Sequence, residues 1–292
     1  VHAVQKGINP YTIDIQGNYT NSPYRGYRYW PMMFAVYMPL VSLFTTGWGA
    51  MRLTNLALDV ITAALILVLV RRRSGWFPGV LGASLYLMLP MLPMRLYEMA
   101  DTDLVPTVLL LAALALHQTR PGLAGAMVGL SVSAKFIPGL LMLVCCLPES
   151  GRPRYLGGFI LGLIPAIAFC WFAPWDFIYN TVSPFVATDP TVNDSSWLYG
   201  APSYVISTTR LVFILLMAAV SFVMIWRPPN FLERCVLYVV CVVALLLASH
   251  AHNNYMLWWI PVFCILLSSP LSRILSLPGC PANTADSGTR SL

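Results

Sequence analysis

Apolar residues fall in long blocks separated by short polar punctuation. Blocks near the roughly 17–25 residues that cross a bilayer as a helix run over 53–70, 76–94, 155–172, 204–226 and 231–248, with shorter ones over 104–116, 123–134, 137–147 and 255–267. The pattern predicts an all-α fold, a polytopic membrane helix bundle of about nine spans. Lys135, Phe136, Ile137 and Pro138 separate two of the short blocks, which are expected to be tilted or broken there. Residues 1–29 have no apolar period, and Gly7, Asn9-Pro10, Gly17-Asn18 and Ser22-Pro23 mark turns, so this segment reads as a loop. Residues 30–48 are apolar but interrupted by Pro31, Pro39 and Gly47, a spacing that suits a pair of short interfacial helices. Three regions follow: a first extracytoplasmic loop with interfacial helices (1–52), a transmembrane bundle (53–277) with an outer loop at 173–203, and a disordered Gly/Ser/Thr/Pro tail (278–292).

Charge fixes the orientation of these blocks. Arg71, Arg72 and Arg73 end the first of them and are assigned to the cytoplasm, because short cytoplasmic loops carry an excess of Arg and Lys. Alternating the blocks from there sends Arg120, Arg152, Arg154, Arg227, Arg234 and Arg273 to the same side. The acidic run at 95–103, Lys135, the 173–203 loop and the cluster His250, His252, Asn253 and Asn254 all fall on the other.

Composition supports this picture. The chain is 58% hydrophobic and only 10% charged, against roughly 25% charged residues in soluble domains, and its mean hydropathy is +0.71. A net charge of +6 would suggest nucleic acid in a soluble domain, but the positive-inside distribution already absorbs the Arg, so no nucleic-acid partner is expected. Seven cysteines without a Cys-x-x-Cys spacing read as buried thiols. The chain opens on Val1, and an upstream portion with at least one further membrane helix is expected.

The candidate chemistry gathers on the outer side. In the run Arg95, Glu98, Asp101 and Asp103, ionisable groups stand beside an apolar block, where unpaired charge is costly and marks function by default. Glu98 and Asp101 are three apart, which on a helix would place two carboxylates on one face, suited to general base work or to a divalent cation. Asp101 and Asp103 also stand where a helix N-terminus welcomes a capping Asp. Arg95 and Lys135 are the cations of the outer span region; both suit phosphate, although Arg95 also suits snorkelling to the interface. His250 and His252, two apart, make a poor helical metal pair, but with Asn253 and Asn254 they suit hydrogen bonding to a sugar or phosphate. Trp175, Tyr179, Trp197 and Tyr199 could stack on sugar faces or belong to an aromatic belt.

Several short segments resemble the C-type (GT-C) glycosyltransferase superfamily, polytopic enzymes that use polyprenyl-phosphate sugars outside the cytoplasmic membrane. Gly7-Ile8-Asn9-Pro10-Tyr11 is similar to a first-loop segment of that family. Tyr29-Trp30-Pro31 with Met38-Pro39-Leu40 resembles its aromatic and proline stretch, and Met51-Arg52-Leu53-Thr54-Asn55-Leu56 the start of the following span. Ala100-Asp101-Thr102-Asp103-Leu104 resembles its acidic turn and Ser133-Ala134-Lys135-Phe136-Ile137-Pro138 its Lys-containing kink. The nearest branch resembled is the polyprenyl-phosphate-mannose-type mannosyltransferases. The resemblance implies transfer of a hexose, mannose in that branch, to an extracytoplasmic lipid, glycan or protein acceptor by one inverting displacement, at a bacterial cell membrane. It implies Lys135, Arg95, His250 and His252 as donor-phosphate groups, and Asp101 as a catalytic residue that orients the acceptor or helps hold a metal. Glu98, Asp103, Asn253, Asn254 and Tyr11 would contact acceptor or sugar. The family's first-loop acid precedes its Asn-Pro-Tyr segment; no acidic residue precedes Asn9 here, so that acid is expected upstream of Val1, with Asp14 a weaker substitute. A membrane transporter with Lys135 at a broken helix, or a non-catalytic subunit of a glycan assembly complex, is the alternative.

Overall fold

A computed structural model describes residues 31–41, 47–89, 103–172, 174–181, 202–226, 230–248 and 256–275. Among them there are helices and no strands, as the apolar blocks require: α1 (Met32–Val41), α2 (Gly47–Ser74), α3 (Trp76–Leu87), α4 (Leu104–Leu116), α5 (Pro121–Ala134) and α6 (Phe136–Cys145), followed by α7 (Arg152–Gly162), α8 (Ile164–Phe172), α9 (Pro174–Thr181), α10 (Ser203–Trp226), α11 (Phe231–Ala248) and α12 (Met256–Leu275). One of these, over Gly49–Ser74, is long and apolar enough to cross a membrane unaided; the others picked out by composition are shorter apolar helices such as Leu104–Leu116 and Pro121–Ala134.

Three expectations need correction. The single block expected at 155–172 is two helices, α7 and α8, parted at Leu163. Pro165 has no N–H to continue the ladder, and the Leu163 N–H divides between the Phe159 and Ile160 carbonyls, 3.1 Å from each. The stretch from residue 173, read as loop, begins with α9, where Pro174 occupies the first helical position, a place at which its missing N–H costs nothing. Helix α2 also starts at Gly47, before the expected Leu53.

Glycine spacing decides the tightest packing. Helices α5 and α7 run parallel, and each carries glycines four apart, Gly125 with Gly129 and Gly158 with Gly162. A Cβ added at Gly125 would lie 1.9 Å from the Tyr155 carbonyl oxygen, one at Gly158 1.9 Å from that of Gly122, and one at Gly162 2.3 Å from that of Ala126. The two backbones therefore touch directly, the small-residue packing that helices use where lipid supplies no hydrophobic drive between them. Ser133 adds a hydrogen bond to the Gly162 carbonyl at 3.0 Å. Helix α6 turns back along α5 from a sharp turn at Lys135, where Gly139 comes so close to Val132 that a Cβ would sit 2.4 Å from its backbone nitrogen.

Polar and charged side chains lie within the apolar core, while large apolar side chains face outward. Buried positions include Thr54, Asn55, Asp59, Thr62, Asp103, Thr107, Ser131, Ser133, Lys135 and Arg234. Meanwhile Phe77, Ile160, Leu161, Trp171, Phe222 and Trp226 are more than half exposed. Soluble monomers rarely show contiguous apolar surface on this scale.

The backbone contact between α5 and α7 sets a clear expectation. Gly158→Val and Gly125→Leu will each lower the detergent-solubilised melting temperature, as expected for overpacking that costs about 3 kcal/mol or more. Gly157→Ala, with nothing within 4 Å of its added Cβ, will shift stability by no more than about 1 kcal/mol, in the stabilising direction.

Candidate functional site

The site is built at the turn between α5 and α6. Lys135 is extended (φ −154°, ψ 120°), ending one helix and preceding the next, and its N–H bonds the Ser131 carbonyl at 2.8 Å. The turn falls here because Pro138, lacking an N–H, is best tolerated in the first turn of a helix, where it stands in α6. Lys135 is nonetheless buried, and its ammonium forms an ion pair with the Asp103 carboxylate. Asp103 is also the acceptor for the Trp258 indole N–H at 2.7 Å. The ammonium stands 5.0 Å from the centroid of the same indole ring, within reach of a cation–π attraction. Thr107, one turn into α4, brings its hydroxyl to 3.0 Å from both the Asp103 and the Leu257 carbonyls.

Asp103 therefore does not cap α4. Its backbone is helical (φ −72°, ψ −12°) and its carboxylate makes no capping bond; it is committed to Lys135 and Trp258. Burying two opposite charges together is tolerable where each is paired and hydrogen-bonded, and costly when one is removed. Helix α1 lies close by, with Met33 and Tyr37 packed in one cluster with Val105 and Ala134, the neighbours of Leu104 and Lys135 in sequence.

Of the residues singled out in the sequence, the structure thus joins Asp103 and Lys135. Tyr11, Asp14, Arg95, Glu98, Asp101, His250, His252, Asn253 and Asn254 lie outside the described residues. Asp101 is two positions before Asp103 and Asn254 four before Trp258, so the chain itself tethers both segments to the ion pair. Trp258 completes the group, although nothing beside it in the sequence marks it. Its role was not legible, because the bond it makes spans 155 residues.

A second buried acid was missed although it left a signal. Asn55, Asp59 and Thr62 stand at i, i+4 and i+7 within an otherwise apolar block, one stripe of a helix. In the structure Asp59 accepts a hydrogen bond from the Tyr86 hydroxyl of α3 at 2.6 Å, and Asn55 one from Tyr37 of α1 at 2.6 Å.

Helix ends sort into two sets. At the end opposite Lys135, the Arg234 guanidinium donates to the carbonyls of Leu147 (2.6 Å) and Cys145 (3.1 Å), and Arg73 lies 3.6 Å over the Phe231 ring. His117, Gln118, Pro148, Glu149, Ser150 and Arg234 line a cavity of about 230 Å³ there. The His117 Nδ1–H donates to the Leu114 carbonyl at 2.8 Å. Burial, aided by the positive charges of Arg234 and Arg73, holds its imidazole below the usual histidine range, against the opposing effect of the Leu114 bond and Glu149. The alternation deduced from charge is thus reproduced in the described residues: Arg73 and Arg234 gather at one end, Asp103 and Lys135 at the other.

No protein-family model matches the chain, and no curated protein or solved structure matches it either.

Two measurements probe this arrangement. Lys135→Met or Asp103→Leu alone will cost about 3–5 kcal/mol by stranding the partner charge, whereas the double variant will recover most of that loss, a coupling read by a double-mutant cycle. For His117, the unfolded imidazole takes a proton near pH 6.5 while the folded one resists it, so its contribution is present above that pH and lost as pH falls below it. The melting temperature will therefore drop between pH 7 and 5, and the drop will shrink in His117→Asn.

Proposed function

We propose that the chain is an integral membrane glycosyltransferase of about nine spans. On this reading it moves a hexose, mannose by resemblance, from a polyprenyl-phosphate donor to a lipid, glycan or protein acceptor on the extracytoplasmic face. The membrane part rests on large apolar side chains facing outward and Thr, Asn, Asp, Lys and Arg inward. The observation that carries the site is the convergence of Lys135, Asp103 and Trp258 at one end of the bundle. They stand where the two segments holding Asp101 and the His250–Asn254 groups enter the helices.

In this reading the acceptor hydroxyl gives its proton to a carboxylate as its oxygen attacks the anomeric carbon; the bond from that carbon to the phosphate oxygen breaks, and the polyprenyl phosphate leaves. Asp101 orients the acceptor, and Asp14 is the weaker candidate for the base. Arg95, His250, His252 and Lys135 stabilise the departing phosphate, the last already oriented by Asp103 and the Trp258 ring. Glu98, Tyr11, Asn253 and Asn254 hold acceptor or sugar, Asp103 instead orients Lys135, and Glu98 with Asp101 could hold a divalent cation.

A transporter is the second reading, favoured by a buried lysine at a helix break. Transfer of labelled mannose from polyprenyl-phosphate mannose, measured in membranes carrying the full protein, separates the two. Asp101→Asn and Lys135→Ala are expected to lower transfer at least ~100-fold at equal protein level. Wild-type rates in both variants would remove the site assignment, and the absence of transfer by the unaltered protein would remove the enzyme reading.

A further inference from the structure

Helix α2 carries the second buried acid inside its apolar stretch. At 1.5 Å per residue, Asp59 lies about 9 Å from Leu53 and about 17 Å from Val70. An ionisable group at such depth marks function by default, and its charged form needs a counter-charge. Among the described residues the one ion pair is that of Lys135 with Asp103; Asp59 receives only the neutral hydroxyl of Tyr86, itself fully buried. Tyr86 also meets the Thr62 hydroxyl and, on α12, the buried Cys264 thiol. Tyr37 of α1 is bound to Asn55, and α4 contributes no ionisable side chain between Leu104 and Leu116.

The polar stripe runs on both sides of Asp59. Above it, toward the end that carries Lys135, stand Asn55 with Tyr37 and then Thr54, whose hydroxyl bonds the Ala50 carbonyl. Below it stands Thr62, whose hydroxyl bonds the Leu58 carbonyl and which also contacts Tyr86, before the buried face continues as Ile66, Leu69 and Val70. Ser268 of α12, beside Ile66 and Gly82, gives its hydroxyl to its own helix at Cys264 and Ile265. Asp59 thus sits in a local polar patch, with the Tyr86 hydroxyl as its donor.

We propose that Asp59 and Tyr86 form a site for one monovalent cation, a proton or Na⁺, inside the helix bundle. The cation supplies the charge that the surrounding helices do not, and the Tyr86 hydroxyl orients the carboxylate that receives it. The site accompanies whatever chemistry occurs at Lys135.

Dicyclohexylcarbodiimide, an apolar reagent that modifies protonated carboxyl groups, tests this in the unaltered protein, with the modified residue located by peptide mass spectrometry. The expected result is modification of Asp59 near pH 6 without Na⁺. A rate that falls at least ~tenfold on adding Na⁺ at constant pH identifies a Na⁺ site; a rate that ignores Na⁺ but falls as much by about pH 9 identifies a proton site. Tyr86→Phe should move the Na⁺ or pH midpoint by about tenfold, the effect of losing a hydrogen bond to a charged group. No modification of Asp59 near pH 6, or modification indifferent to both pH and Na⁺, overturns the proposal. A Tyr86→Phe protein that melts lower but keeps the unaltered midpoint assigns the pair to helix packing alone and overturns it too.

Discussion

A buried charge has to be answered, and the answer given to Asp103 organises one end of this protein. Its carboxylate accepts from the Lys135 ammonium and the Trp258 indole, so the start of α4, the turn from α5 to α6 and the start of α12 must meet at one place. Thr107 reinforces the meeting by reaching backbone carbonyls of both α4 and α12. Helices packed only by apolar contact could slide or rotate; a desolvated ion pair with a directional indole bond fixes their register, because a small displacement strands a charge.

That register depends on how closely the helices behind it can approach. The glycines of α5 and α7 let two backbones touch, and the turn at Lys135 follows directly from the end of α5. The opposite end uses different chemistry: Arg234 satisfies the terminal carbonyls of α6, cationic groups answering the negative end of a helix. One end of the bundle holds a paired acid and base inside; the other turns its arginines toward helix ends and rings.

Much of this architecture was legible in the blocks of apolar residues. The limits 104–116, 226 and 231–248 coincide with helices, because polar or proline-containing breaks there leave one outcome. The break at Lys135 could be read from Pro138, and the one at Leu163 could have been read from Pro165, had an unbroken block not outweighed a single proline. The α5–α7 contact was also written in the sequence as glycines four apart, which a reading by hydropathy does not weigh. Lys135 could be singled out because a cation in apolar surroundings stands apart; its partner Asp103 was visible as well, but with a plausible local role as a cap. Trp258 was not legible, since nothing near it in sequence distinguishes an indole that serves a distant carboxylate from one that fills space.

The sequence separation of these contacts implies an order of completion. The groups of α4 through α7 lie within 60 residues, from Leu104 to Gly162, so the ion pair and the glycine contact can assemble while later helices are still being made. The indole that closes the arrangement arrives 155 residues after Asp103. Until then the acid and base face each other with one side open, and whatever chemistry this end performs waits for α12. Synthesis thus works as a timer: the bundle can take shape early, but its paired charge is sealed only by the last described helix.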